Sequence, residues 1–155
     1  MHERVVYLTP EGKERFAEEL RTLTTVRRRE VEERIRRAKE FSDAVDNAEY
    51  DEAKTDQAFV EGRIRELERM LSGARIIEQP QGVEYVRLGC RVTVVDGDGD
   101  EETYHLVGSQ EADPRKRLIS NESPIGRALI GKRIGEEATV VAPDGSFTLR
   151  VTAIA

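Results

Sequence analysis

The sequence is short of several features that would point to particular classes of protein. Its single cysteine, Cys90, permits no intramolecular disulfide. Aromatic residues make up only 5% of its 155 residues, so one large hydrophobic core is not expected. No apolar run is long enough for a signal peptide or a membrane span. These absences predict a cytoplasmic protein built from two small modules, with no membrane partner.

Charged residues are abundant, at 36% of the chain, and the net charge is -6. This composition is typical of a soluble protein and argues against binding nucleic acid through overall charge alone. The two histidines, His2 and His105, stand apart from other metal ligands, and no catalytic nucleophile motif or phosphate-binding loop is present. The sequence therefore shows no catalytic site of its own.

Two long helices are predicted in the first half of the chain. The first begins near Pro10, which follows the N-cap candidate Thr9, and continues to about Phe41. The second spans about residues 47–72. Apolar residues recur at helical spacing in both, at Phe16, Leu20, Leu23, Val31, Ile35 and Ala38, and in a heptad seam of Ala53, Gln57, Val60, Ile64, Leu67 and Leu71. Because each stripe is narrow, the helices should fold back on each other as an antiparallel coiled coil, residues 1–77, with its acidic tip at residues 43–47.

The second half of the chain alternates between apolar and polar residues, which predicts strands. A short helix begins at Pro124 behind the N-cap candidate Ser123 and ends near Ile130, and residues 78–84 are predicted to be a linker. The fold class is therefore α+β, with the coiled coil followed at residues 85–155 by a small antiparallel sheet with one short helix. The four predicted strands are Arg91–Val95, Thr103–Val107, Ala138–Val141 and Ser146–Ile154.

One acidic motif resembles the start of a calcium-binding loop, at residues 96–100. The match fails further on, because Glu101 stands where the turn glycine is required and Val107 where a bidentate glutamate is required. A simple hairpin turn is predicted there. Cys90 is expected to be a small core residue.

Charge is unevenly distributed along the two predicted helices. Residues 27–39 carry seven arginines and lysines against three glutamates, whereas residues 40–56 carry seven acids against Lys54 alone. Part of the basic segment is explained by pairs four residues apart, which are Glu30 with Arg34, Glu32 with Arg36 and Glu33 with Arg37. Four cations lack such pairs and are candidates for contact with phosphates, namely Arg27, Arg28, Arg29 and Lys39. Two carboxylates, Asp43 and Asp46, lie at the predicted bend and suggest metal delivery.

Four segments, in order along the chain, resemble the Gre-type transcript cleavage factors of the GreA/GreB family. They are residues 8–12, 43–54, 61–68 and 119–135. The resemblance covers nearly the whole chain. It implies a coiled coil that enters the secondary channel of bacterial RNA polymerase and an FKBP-like domain that docks on the rim of that channel. The docking candidates are Ser123, Pro124 and Ile125.

The resemblance also implies a chemical role for the tip. Asp43 and Asp46 would complete a shared Mg²⁺ site in the polymerase active centre, formed only in the complex, and no cofactor would be bound stably by this chain. Asn47, Glu49 and Tyr50 would support the tip. The polymerase would then cleave backtracked RNA near its 3′ end, so the chain would stimulate an enzyme without being one. A monomer is expected.

The tip departs from the family pattern at one of its acids. Family members that resemble this chain usually have Asp-Leu-Ser-Glu-Asn, whereas this sequence has Asp43-Ala-Val-Asp-Asn47. An aspartate is shorter than a glutamate by one C–C bond, about 1.5 Å. The alternative function is therefore a Gre-like regulator that occupies the channel and inhibits or modulates the polymerase without efficient cleavage. Prolyl isomerase activity is not expected, because the aromatic-poor second module shows no sign of an apolar pocket.

Overall fold

A computed structural model describes residues 5–40 and 47–155, which form two compact units. One unit is Lys13–Gly73, and the other combines the chain up to Gly12 with Ala74–Ala155. We refer to them as the helical unit and the β unit. The sequence analysis assigned all of residues 1–77 to the coiled coil, whereas the contacts of residues 5–12 are with the β unit. Local periodicity cannot reveal contacts between segments so far apart in sequence.

Two three-residue strands account for this grouping. Strand β1 (Val6–Leu8) precedes the first helix, and strand β2 (Ala74–Ile76) follows the second; they pair in parallel. The sequence analysis predicted neither strand, because three residues are too few to show an alternating pattern. The predicted end of the second helix, at about residue 72, is confirmed to within one residue.

The start of the first helix is tied to the β unit by a buried carboxylate. Thr9 caps the helix as predicted, since its Oγ1 accepts a hydrogen bond from the N–H of Gly12 at 3.0 Å. Glu111, which is only 6% exposed, accepts hydrogen bonds from the Thr9 N–H at 2.6 Å and from its hydroxyl at 2.5 Å. A Cβ atom on Gly12 would lie 2.0 Å from Glu111 Oε1, so this position requires glycine.

The helical unit contains two long helical segments. The first continues to Glu40 as α1 (Pro10–Thr22), a π-helical segment (Leu23–Arg27) and α2 (Arg28–Glu40), and the second is α3 (Ala48–Gly73). Backbone angles at Thr22 and Arg28 are helical, so the first segment is unbroken. The predicted helices are confirmed, but the π-helical segment was not predicted. The predicted end at Phe41 lies outside the described residues.

The two helical segments pack through an apolar seam. It consists of Val31, Ile35, Ala53, Val60 and Ile64, with Leu20, Leu23 and Tyr50 partly buried beside it. Near the end of α3 the structure differs from the predicted heptad, because Met70 is 4% exposed whereas Leu71 is only half-buried. An α-helix drifts by about 20° per heptad relative to a strict seven-residue repeat, so the neighbouring residue faces inward there.

The β unit contains a five-stranded mixed sheet. All four predicted strands are confirmed to within two residues. The fifth was missed because it is short, and it makes the sheet mixed, since β4 and β5 are parallel whereas the other neighbouring pairs are antiparallel. The order is β5-β4-β3-β7-β6, with β3 (Arg91–Val95), β4 (Glu101–Val107), β5 (Leu118–Ser120), β6 (Glu137–Ala142) and β7 (Gly145–Ile154).

One short helix, α4 (Pro124–Leu129), packs on this sheet. Its predicted cap is confirmed, since Ser123 Oγ accepts the N–H of Gly126 at 3.1 Å. Leu129 is fully buried and joins the sheet core, to which the predicted core residue Cys90 also belongs. Pro124 suits the first helical position, where the missing N–H costs no hydrogen bond.

The acidic turn between β3 and β4 is the predicted hairpin turn. Asp96 Oδ1 accepts hydrogen bonds from the N–H groups of Asp98 and Asp100, both at 2.9 Å. These hydrogen bonds explain why the first residue of the turn is an aspartate. Among residues 5–40 and 47–155, none of the helices combines the length and the apolar content needed to cross a bilayer.

Candidate functional site

The end of the helical unit nearest the predicted tip is held together by Asn47. Its Oδ1 accepts a hydrogen bond from the N–H of Tyr50 at 3.1 Å, which caps α3. Its Nδ2 donates to the carbonyl of Ala38 in the last turns of α2, at 2.9 Å. One side chain therefore fastens the start of α3 to the end of α2. The tip-supporting role of Asn47 stays a prediction.

A cation–π contact reinforces the same end. Lys39 Nζ lies 5.9 Å from the centroid of the Tyr50 ring. Tyr50 also packs against the apolar seam, so it connects the core of the hairpin to its charged end. Glu49 is exposed in the first turn of α3, where its negative charge favours the positive end of the helix dipole.

The predicted metal ligands, Asp43 and Asp46, lie outside the described residues. Their attachment to the hairpin is nevertheless defined on both sides. Glu40 is the last residue of α2, and Asp46 directly precedes Asn47. Because Asn47 is hydrogen-bonded to Ala38, the chain enters and leaves residues 41–46 at the same end of the hairpin.

Within the described residues, at least three ion pairs cross between the two long helical segments. The pair of Arg28 with Glu61 is bidentate, with Nε–Oε1 and Nη2–Oε2 distances of 2.8 and 3.0 Å. The hydrogen bond from Arg28 holds the pKa of the Glu61 carboxyl below its usual value. These side chains are half-exposed, so each pair stabilises the hairpin only modestly, but together they specify its register. The three pairs are Arg28–Glu61, Arg34–Asp56 and Arg63–Glu19.

These contacts correct the prediction that four cations lack partners. Arg27 pairs with Glu30 at 2.6 Å, only three residues away, and Arg28 pairs across the hairpin. Lys39 makes the contact with the Tyr50 ring. Of the four, Arg29 alone has neither an ion pair nor a ring contact with any residue in the described ranges, and it is exposed. Their contact with RNA stays a prediction, with Arg29 as the most available cation.

The pairs predicted within α2 are also revised. The pair of Glu33 with Arg37 is confirmed at 3.2 Å. Arg36 pairs with Glu33 and Glu40, not with Glu32. Arg34 does not pair with Glu30, because Asp56 on the neighbouring helix lies at 2.5 Å from it. Spacing along one helix cannot show a competing acid on another.

A second candidate site is an apolar cleft of about 520 Å³ in the β unit. It overturns the expectation that this module has no apolar pocket. The predicted docking residues Ser123, Pro124 and Ile125 lie along it. Because the cleft is assembled from several strands, no single segment of the sequence reveals it. Its other apolar lining includes Tyr104, Ile119, Val140 and Phe147.

One edge of the cleft is polar and ordered. The Tyr104 hydroxyl donates a hydrogen bond to the Glu102 carboxylate, which also pairs with Arg117 at 2.9 Å. Burial, followed by the bond to Glu102, raises the pKa of Tyr104 to about 12, so this side chain remains a neutral hydroxyl at physiological pH. An apolar floor with a charged edge is typical of a surface that binds protein.

The two units together define a class of protein. A helical hairpin, fastened by Asn47 at one end, accompanies a small sheet unit with an apolar cleft. The family model described as "Transcription elongation factor, N-terminal" matches residues 6–76, and "Transcription elongation factor, GreA/GreB, C-term" matches residues 80–155. This chain belongs to the GreA/GreB family of transcription elongation factors.

Individual relatives resemble the chain over nearly its full length. Transcription elongation factor GreA of Bacillus subtilis (strain 168) is 50% identical over 153 residues, covering 98% of each chain. The GreA of Oceanobacillus iheyensis is 51% identical over 152 residues, covering 97% of this chain and 96% of that one. A crystal structure of GreA factor homolog 1 (Gfh1) of Thermus thermophilus is 34% identical, covers 98% of this chain and 99% of that chain, and has a TM-score of 0.46.

Proposed function

We propose that this elongation factor inserts its helical hairpin into the secondary channel of bacterial RNA polymerase and stimulates the polymerase's own cleavage of backtracked RNA. The observation that carries the proposal is the fastening of α3 to α2 by Asn47, which attaches the segment with Asp43 and Asp46 to the closed end of a long arm. Relatives about half identical to this chain bear the name GreA, which favours this function over a channel-occupying inhibitor.

The donor set at the tip suits magnesium. Carboxylate oxygens are the protein ligands that Mg²⁺ prefers, and it usually takes one or two of them together with phosphate and water oxygens. Asp43 and Asp46 would hold the ion only within the polymerase active centre, where it would activate water or stabilise the leaving oxygen. The contribution of this chain is to hold two negative charges at the end of a supported arm, so the polymerase remains the enzyme.

The β unit supplies the second part of the proposed interaction. Its cleft places Ser123, Pro124 and Ile125 beside an apolar floor, which fits docking on a protein surface at the channel rim. Arg29 and Lys39, both in α2, would supply positive charge for phosphates near the RNA 3′ end. Such a factor would act as a monomer in the bacterial cytoplasm.

The proposal is tested with Asp43→Asn and Asp46→Asn in stalled, backtracked transcription complexes supplied with Mg²⁺. Each variant should lose stimulated RNA shortening while competing for polymerase within about twofold of the wild type, because a neutral amide keeps the size but not the charge of the ligand. Asp98→Asn, the same change in the β3–β4 turn, is the control and should cleave normally. Equal losses of cleavage and polymerase binding would contradict the assignment.

A further inference from the structure

Phe59 is the most exposed large hydrophobic side chain of the described residues, at 73%. It lies in the middle of α3, a helix that already buries its opposite side in the apolar seam. A phenylalanine can bury 150–250 Å² of surface, roughly, when a partner covers it. Single exposed apolar side chains are common on protein surfaces, so the case for a contact surface rests on the residues that surround this ring.

The residues beside Phe59 are unusually small for the outer side of a helix. At about 100° per residue, Thr55, Ala58 and Gly62 fall within roughly 60° of one another, facing away from the seam. The outer side of such a helix normally carries long charged side chains. Here Thr55, Ala58 and the Phe59 ring border a shallow groove of about 630 Å³, and Gly62 lies one turn of helix further along, outside its lining. We call Thr55, Ala58, Phe59 and Gly62 the outer patch.

Gly62 has no explanation within the described structure. No atom lies within 4 Å of the place where its Cβ would be, so no described neighbour requires a glycine there. Glycine in the interior of a helix destabilises it relative to alanine. A position that lacks a side chain at this cost suits the close approach of another backbone, and the ring of Phe59 one turn away suits an apolar pocket on the same partner.

The charges around the groove distinguish between possible partners. Asp51 and Lys54 both line it, so it carries one charge of each sign. The Lys54 ammonium is engaged with the Gln57 side chain at 3.0 Å. A single-stranded RNA would require a basic groove, and a phosphate would be repelled by Asp51. A protein surface with an apolar pocket and mixed charges fits better.

We propose that the outer patch packs against the protein wall of the polymerase secondary channel and anchors the hairpin there. This inference rests on the proposed function, which places α3 inside that channel. Phe59 is twelve residues from Asn47, or about 18 Å along the helix. The outer patch would therefore contact the channel wall some distance behind the tip. It would add affinity for polymerase without taking part in the cleavage chemistry.

The test is polymerase affinity of the full chain with Phe59→Ala. Competition for core polymerase should show a loss of about tenfold or more, equivalent to roughly 1.4 kcal/mol. The cleavage rate at saturating factor and the melting temperature should stay at wild-type values, because the ring neither reaches the tip nor supports the core. The matched control is Val141→Ala, which removes a 71% exposed side chain from the β unit and should leave affinity unchanged.

Gly62→Ala provides a test in which stability and affinity change in opposite directions. The added methyl group should raise the melting temperature, since alanine favours the helix, yet weaken polymerase binding several-fold by blocking close approach. A purely structural role would move both quantities together.

Three results would overturn the inference. Polymerase binding by both variants at the wild-type level, together with cleavage stimulation by the wild type, would refute the outer patch and leave the proposed function standing. A loss confined to self-association, measured by sedimentation, or to binding of an RNA oligonucleotide would identify a different partner. A wild type that neither binds polymerase nor stimulates cleavage would refute both proposals.

Discussion

At the residue scale, the substitution of an aspartate for the usual glutamate at the tip is the feature with the clearest chemical consequence. Asp46 keeps the charge of a glutamate but is shorter by about 1.5 Å. Ligand distances to Mg²⁺ are close to 2 Å and tolerate little slack. Reach, and not charge, is therefore the variable that this position changes.

We expect Asp46→Glu to increase cleavage stimulation. A better-seated ligand lowers the barrier by about 1.4 kcal/mol for every tenfold gain in rate. The longer side chain loses a fraction of 1 kcal/mol more rotamer entropy on ordering, so roughly a severalfold gain should remain. The measurement is the cleavage rate at saturating factor. A faster wild type, or a gain that disappears when Mg²⁺ is raised and binding is equalised, would show that the shorter acid already matches its polymerase.

At the element scale, the hairpin depends on contacts at its closed end as much as on its seam. Asn47 makes two distinct contributions there, as acceptor from the Tyr50 N–H and as donor to the Ala38 carbonyl. Aspartate at this position could still cap α3 but could not donate to α2. The two contributions are therefore separable by substitution.

We expect Asn47→Ala to lower the free energy of unfolding by about 1 kcal/mol, as is typical for loss of an N-cap. Asn47→Asp should recover most of that stability. Both variants should stimulate cleavage more slowly than the wild type, because both lose the tether that fastens the two helices beside the acidic segment. Denaturant unfolding and cleavage assays measure the two effects. Full cleavage by Asn47→Asp would mean that the cap alone supports the tip.

The ion pairs between the helices predict a dependence of stability on pH. The hydrogen bond from Arg28 lowers the pKa of Glu61 in the folded state below the ordinary glutamate value of 4.5. The contribution of the ionised Glu61 to the free energy of unfolding is therefore complete above the pKa of the unfolded state. It is lost as the pH falls through the lower pKa of the folded state. The melting temperature of Glu61→Gln should be below that of the wild type at pH 7, and the gap should close as the pH falls below 4.5. Because both side chains are over a third exposed, added salt should also narrow it. A gap that stayed constant with pH would mean that Glu61 acts through packing.

At the scale of the whole molecule, two units carry separate parts of the proposed activity. The helical unit carries the acidic segment, and the β unit carries the apolar cleft with Tyr104 and Phe147. Binding and cleavage should then respond to different substitutions. This separation is expected when one unit docks on the polymerase and thereby increases the fraction of time that the other unit occupies the channel.

We expect Phe147→Ala to raise the factor concentration needed for half-maximal cleavage about tenfold, with little change in the rate at saturation. Its ring lines the cleft and is 45% exposed, so its loss should affect docking more than folding. Asp43→Asn should show the opposite pattern. The cleavage rate at saturation should be largely lost, whereas the factor concentration that gives half of the remaining activity should be unchanged. Titrations of both variants on the same backtracked complex provide the measurement. A fall in the saturating rate for Phe147→Ala would argue against separate roles.

Much of the architecture followed from the sequence because it depends on neighbours close along the chain. Helix caps such as Thr9 and Ser123 act over three or four residues, and the apolar spacing of α2 and α3 reflects one helical period. The hairpin strands β3, β4, β6 and β7 are likewise adjacent or joined by turns with their own signals. The resemblance to the GreA/GreB family added the functional assignment, and the family match confirmed it.

The tertiary structure decided what depends on residues far apart in sequence. It paired β1 with β2, placed Glu111 against Thr9, and gave Arg28 and Arg34 partners on the opposite helix. It also assembled the cleft from several strands and left Phe59 exposed. The physical reason is common to all of these features. A sequence shows which contacts its neighbours favour, whereas a competing acid, a three-residue strand or a shared apolar surface exists only once distant segments are packed together.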